Sequence, residues 1–117
     1  MHNDHPDKER RAFFRYRYEN PIQYKILNTP KSENTSGAVP VGAVSKNLSA
    51  SGILFSSKHL PQMSSILELE LDYRTSQICQ EIEESALIIN NKLLGKVVRI
   101  EEGENGYYDI GVAFIKK

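Results

Sequence analysis

Residues 95–117 read GKVVRIEEGENGYYDIGVAFIKK, and their pattern decides the fold class. Tyr108, Ile110, Val112 and Phe114 recur at a spacing of two, with Gly111 and Ala113 between them. That is the period of a strand with one side buried. Upstream, Leu94, Val98 and Ile100 mark a second strand. Between the two stands Asn105-Gly106, the dipeptide that tight hairpin turns favour because both central positions need a left-handed backbone. These residues therefore form an antiparallel hairpin.

The same period extends outward. Leu67, Leu69 and Leu71 alternate with Glu68, Glu70 and Asp72, a half-buried strand. Ile53, Leu54 and Phe55 begin another after the corner at 47–52, and Pro61 interrupts the chain beyond it. Val39 to Leu48 is β-branched with Gly42 inside it, a strand expected to bulge or bend at the glycine. In PIQYKIL (21–27), Ile22, Tyr24 and Ile26 share one side and Gln23 and Lys25 the other, while 28–38 is a polar, turn-rich loop. Residues 78–90 fit a helical turn or a strand, and we assign strand. Short strands, frequent turns and no long helix predict an all-β barrel or sandwich. Barrel closure is the economical way to protect the sheet edges of so small a chain.

The chain has 117 residues, with 15 Lys+Arg against 15 Asp+Glu, which fits one domain and excludes coating of a polyanion by bulk charge. One cysteine excludes an internal disulfide and suits a reducing compartment. No apolar run approaches the roughly 18 residues that span a bilayer. MHNDHPDKERR at the start lacks the apolar core of a signal peptide, so a cytoplasmic location is expected. His2, His5, His59 and Cys79 have no metal-ligand spacing, and no residue pattern frames a catalytic nucleophile or a phosphate loop. The composition points to a binding module, not an enzyme.

Neutrality hides a distribution. Residues 8–25 carry six cations against two anions, an excess of +4, and residues 68–84 carry six anions against one cation, an excess of −5. Arg11 and Arg15 stand four apart, which puts them on one side whether the arm is helical or extended. Two guanidinium forks then converge on one object, and a phosphodiester or a guanine edge is suitable. A solvated basic arm with no ligand gives the same spacing. Further on, Asn47 and Ser49 project to one side at strand spacing while Leu48 faces the core. Gly52 is expected to supply a backbone conformation that a side chain resists. A carbonyl beside a hydroxyl can accept the N1–H and N2–H of guanine. The same residues also make a turn that satisfies its own backbone.

Together, Arg11-x-x-x-Arg15 ahead of the first strand and Asn47-x-Ser49-x-x-Gly52 between later strands resemble the PilZ domain, the bacterial receptor module for cyclic di-GMP. Residues 95–117 are similar to that family's closing hairpin, and the resemblance covers residues 9–116. It departs in the long loop at 28–38, in Asn47 where aspartate is commoner, and in the lack of a long helix after the barrel.

The resemblance implies a stand-alone, six-stranded antiparallel β-barrel over residues 9–117, with a flexible N-terminal arm that closes over the ligand, behind a disordered tail at 1–8. It implies that Arg11 and Arg15 contact guanine and phosphate, that Asn47 and Ser49 hold a guanine edge, and that Gly52 shapes the turn. Arg10 stands just before the motif, at a position where the family's arginine-bearing members tend to take up two stacked ligand molecules. Arg99 is a candidate from its own chemistry for a further phosphate contact, with a cross-strand glutamate pair as the alternative. Phe13 and Phe14 are expected to pack the arm onto the barrel. The ligand is cyclic di-GMP with no other cofactor, and an unidentified downstream effector protein would carry the output. Neither nucleic-acid binding nor membrane insertion is expected. Two other readings stay open: a nucleotide-independent adaptor of the same fold, and an RNA-binding barrel. The acidic run gives the second no basic stacking platform.

Overall fold

A computed structural model describes residues 16–30 and 39–117. The strands are β1 (Tyr16–Arg17), β2 (Pro21–Asn28), β3 (Val41–Leu48), β4 (Gly52–Ser57), β5 (Ile66–Glu70), β6 (Ile88–Ile89), β7 (Lys92–Glu102) and β8 (Tyr108–Phe114). A 3-10 turn at Tyr73–Thr75 and helix α1 (Cys79–Ser85) lie between β5 and β6. Strands β3, β2, β5, β7, β8 and β4 succeed one another in antiparallel pairs, and β4 pairs back with β3. The ring is the expected six-stranded barrel, and closure leaves no strand of it with an unpaired edge. β1 pairs with β3 beyond the end of β2, and β6 forms a short ribbon with β7.

Alternation fills the interior. Leu67 and Leu69 are fully buried, as are Phe55, Ile110 and Tyr24, while Glu68 and Glu70 face outward. The Tyr24 and Phe55 rings meet with centroids 5.2 Å apart. Each such side chain contributes roughly 1.5–3 kcal/mol by leaving water. Asn105 and Gly106 both have positive φ, 58° and 79°, so the β7–β8 hairpin turns as its dipeptide predicts. Asn90 and Asn91, also left-handed at 54° and 66°, turn β6 into β7.

Four local expectations need correction. The strand assigned over 78–90 is helix α1 followed by the two-residue β6. Ile78, Ile82 and Ala86 recur at the helical spacing of four and are all buried. On β7 the core face is Leu93 and Val97, whereas Val98 is half exposed. In β3 the strand begins at Val41, leaving Val39 exposed, and Gly42 is no bend. Finally, the φ of Gly52 is not left-handed: among the described glycines only Gly106 has a positive φ.

The irregularity of β3 falls between Ser45 and Asn47, and a matching one on β7 falls between Val97 and Arg99. Each bulge inserts one residue, Lys46 or Val98, and so reverses which later residues face inward. Ser45 is inward before the first bulge and Leu48 after it; Val97 is inward before the second and Ile100 after it. The first bulge is held by the corner between β1 and β2. Ser45 N–H donates to Asn20 O at 2.9 Å and Tyr18 N–H to Lys46 O at 3.1 Å. The buried Ser45 hydroxyl donates to Tyr18 O and accepts Asn20 N–H at 3.1 Å.

Candidate functional site

The two bulges decide the outer face. Without them Asn47 would join Ser45, and Arg99 would join Val97, on the core side. With them, both emerge on the same external surface. Cross-strand register then sets one row: Arg17 opposite Asn47, Asn47 opposite Leu54, Leu54 opposite Gly111, and Gly111 opposite Arg99. At strand spacing the row from Asn47 to Arg99 runs roughly 14 Å along the sheet. Gly111 keeps its floor low, since a Cβ there would lie 3.2 Å from Arg99 Cβ.

This row is the floor of a groove of about 400 Å³, within the range of small-molecule sites. Of the predicted residues, Asn47, Ser49, Gly52 and Arg99 all line it. Arg10, Arg11 and Arg15 lie outside the described residues, as do Phe13, Phe14 and the segment 1–8. Sequence reading missed Glu101, Asp109 and Ser51, which line the same groove. Glu101 stood two residues from Arg99, at same-face strand spacing, and that signal was available. A wider depression of about 630 Å³ over β2, β3 and β5 presents Glu70 and Asp72, with no cation among its described lining residues.

The lining residues differ in how free they are. Ser49 is buried, and its hydroxyl accepts the N–H groups of Ser51 and Gly52, both at 3.2 Å, beside Ser51 Oγ at 3.1 Å. It is committed to the turn, which its main chain closes by Ser49 N–H donating to Gly52 O at 2.9 Å. Gly52 is required by contact: a Cβ would stand 2.3 Å from Val112 O on β8. Asn47 is partly exposed and makes no side-chain hydrogen bond to another described residue. Its amide is therefore open to a ligand.

Each carboxylate of the groove has a cation partner. Arg99 Nε donates to Glu101 Oε2 at 3.0 Å, a pair along one strand and not across two. Lys46 Nζ lies 2.9 Å from Asp109 Oδ1. Both pairs are solvent-accessible, and exposed pairs contribute only about 0.2–1 kcal/mol, so a ligand anion can exchange into them. Cys79 lies on α1, away from the groove lining; desolvation first, then Glu83, pushes its thiol up. Among the described residues no cluster of metal-ligating side chains forms, and no helix is long and apolar enough to cross a membrane.

A family model for the PilZ domain matches residues 9–117. Comparison with curated proteins gives no match. PilZ domains are cyclic di-GMP-binding modules and related adaptors, receptors in kind and not enzymes. With that match over nearly the whole length, and the closed six-stranded barrel beneath it, the chain belongs to the PilZ domain family.

Proposed function

We propose that this protein binds cyclic di-GMP in the groove over β3, β4, β8 and β7 and relays its occupancy to an effector protein. The observation that carries the reading is Asn47: an amide on the groove floor with no side-chain partner among the described residues, in one row with Arg99. Its carbonyl accepts from a guanine edge, and the Ser49 turn fixes its position. Arg99 faces a phosphate from the far end. Each carboxylate lining the groove is already paired, Glu101 with Arg99 and Asp109 with Lys46, so we assign the attraction for a dianion to Arg10, Arg11 and Arg15. Arg15 is bonded to Tyr16, whose partner Leu48 is the neighbour of Asn47. The arginine-bearing segment thus joins the barrel at the groove's rim. Clustered guanidinium groups repel one another until an anion compensates them. Affinity should therefore fall with salt.

Calorimetric titration with cyclic di-GMP tests this. Wild type is expected to bind, and Asn47→Ala, Arg11→Ala and Arg15→Ala each to weaken binding at least about tenfold, equivalent to 1.4 kcal/mol. Far-UV circular dichroism should stay unchanged. The same titration reads whether one or two ligands are taken up, the property assigned to Arg10. No binding by wild type would defeat the receptor reading and favour a nucleotide-independent adaptor; equal affinity in the variants would defeat the residue roles.

A further inference from the structure

The groove holds two carboxylates that a site for an anion does not obviously need. Glu101 and Asp109 are cross-strand partners on β7 and β8, so like charges stand directly opposite each other. Each is held by its own cation: Glu101 by Arg99, through both Nε and Nη2, and Asp109 by Lys46. All four lie on the outer face, and the bulge at Val98 turns Arg99 and Glu101 onto it. Glu101 thus occupies the guanidinium that an incoming phosphate would use, and a ligand that takes Arg99 uncovers a carboxylate beside a second one.

We infer that Glu101, seconded by Asp109, is a specificity-determining residue that rations Arg99 according to ligand charge. This rests on the receptor reading above. A phosphodiester brings a single negative charge to Arg99, so it meets a limited repulsion from the exposed carboxylates. A guanosine triphosphate offers the same guanine to Asn47 but brings several charges on one tail. It meets Glu101 and Asp109 together and is rejected. The carboxylates thereby separate two ligands whose bases are identical, which hydrogen bonds to guanine alone cannot do.

The test is titration of wild type, Glu101→Gln, Arg99→Ala and the double variant with cyclic di-GMP and with GTP, at one ionic strength. Glu101→Gln keeps the shape and removes the charge. It is expected to tighten cyclic di-GMP about two- to fivefold, the worth of an exposed ion pair, and to tighten GTP by a larger factor. In the Arg99→Ala background the gain for cyclic di-GMP should shrink. Glu104→Gln, at the exposed hairpin turn outside the groove lining, removes the same net charge and should change neither affinity. Unchanged or weaker cyclic di-GMP binding by a folded Glu101→Gln, or equal gains for both ligands, overturns the inference and leaves the receptor reading standing. A wild type that takes no cyclic di-GMP overturns both.

Discussion

Replacing Gly52 by alanine drives a methyl group into the backbone of the neighbouring strand. The added Cβ would lie 2.3 Å from Val112 O, 3.3 Å from Val112 C and 3.4 Å from Ala113 Cα. All three are main-chain atoms, so no rotamer change relieves them, and β4 and β8 must part by about 1 Å to recover van der Waals distance. Parting them strains the bond that ties β8 to the turn, Phe114 N–H to Ser51 O at 2.8 Å. Overpacking costs about 1–3 kcal/mol, and one compromised hydrogen bond adds about 1 kcal/mol. The sum, about 2–4 kcal/mol, is a large part of the roughly 5–15 kcal/mol that holds a domain folded. It should lower Tm by at least about 8 °C. Gly42→Ala is the matched comparison: the glycine is also in a strand, but its added Cβ meets nothing within 4 Å. That variant should stay within about 0.5 kcal/mol of wild type. Urea unfolding monitored by circular dichroism measures both. A Gly52→Ala protein as stable as wild type, or a Gly42→Ala protein equally damaged, would refute the close-approach argument.

Buried hydroxyls give two more tests. The Ser65 hydroxyl is buried with no hydrogen-bond partner among the described residues, whereas the Ser45 hydroxyl serves both Tyr18 O and Asn20 N–H. Ser65→Ala should therefore be neutral or stabilising, and Ser45→Ala should cost about 1–3 kcal/mol; denaturant midpoints of the two variants give the opposite signs directly. Burial raises the phenol pKa of both Tyr18 and Tyr24 above the ordinary value near 10. Each then contributes stability that is complete below about pH 10 and is lost as pH rises through the higher folded value, because the unfolded chain releases its proton first. The urea midpoint should fall above about pH 10, and Tyr24→Phe should flatten that fall; an unchanged slope would refute the role of Tyr24.

Much of the fold was legible because a half-buried strand advertises itself locally. LELEL at 67–71, the 108–114 alternation and Asn105-Gly106 each carry their structure in adjacent residues, and each stands where the pattern put it. Helix α1 was misassigned although Ile78, Ile82 and Ala86 gave its period, since isoleucine-rich runs suit a strand equally well. Resemblance of two short motifs named the family that the full-length match shows. Which residues among those motifs are free was not readable: Asn47 is open, while Ser49 is consumed by its own turn.

The sequence by itself determined most of the strands and their turns, because side-chain alternation and left-handed turn positions are properties of near neighbours. Only the tertiary structure decided where those residues point and what they meet. The extra residues Lys46 and Val98 arise from the register of β3 with β4 and of β7 with β8, and each reverses the facing of the residues after it in its own strand. The close approach of β8 to Gly52 and the row from Asn47 to Arg99 exist only once the barrel closes, while the carboxylate pair of Glu101 and Asp109 is set by the register of the β7–β8 hairpin. Contacts between strands far apart in sequence are set by register, and register belongs to the sheet and not to any one strand.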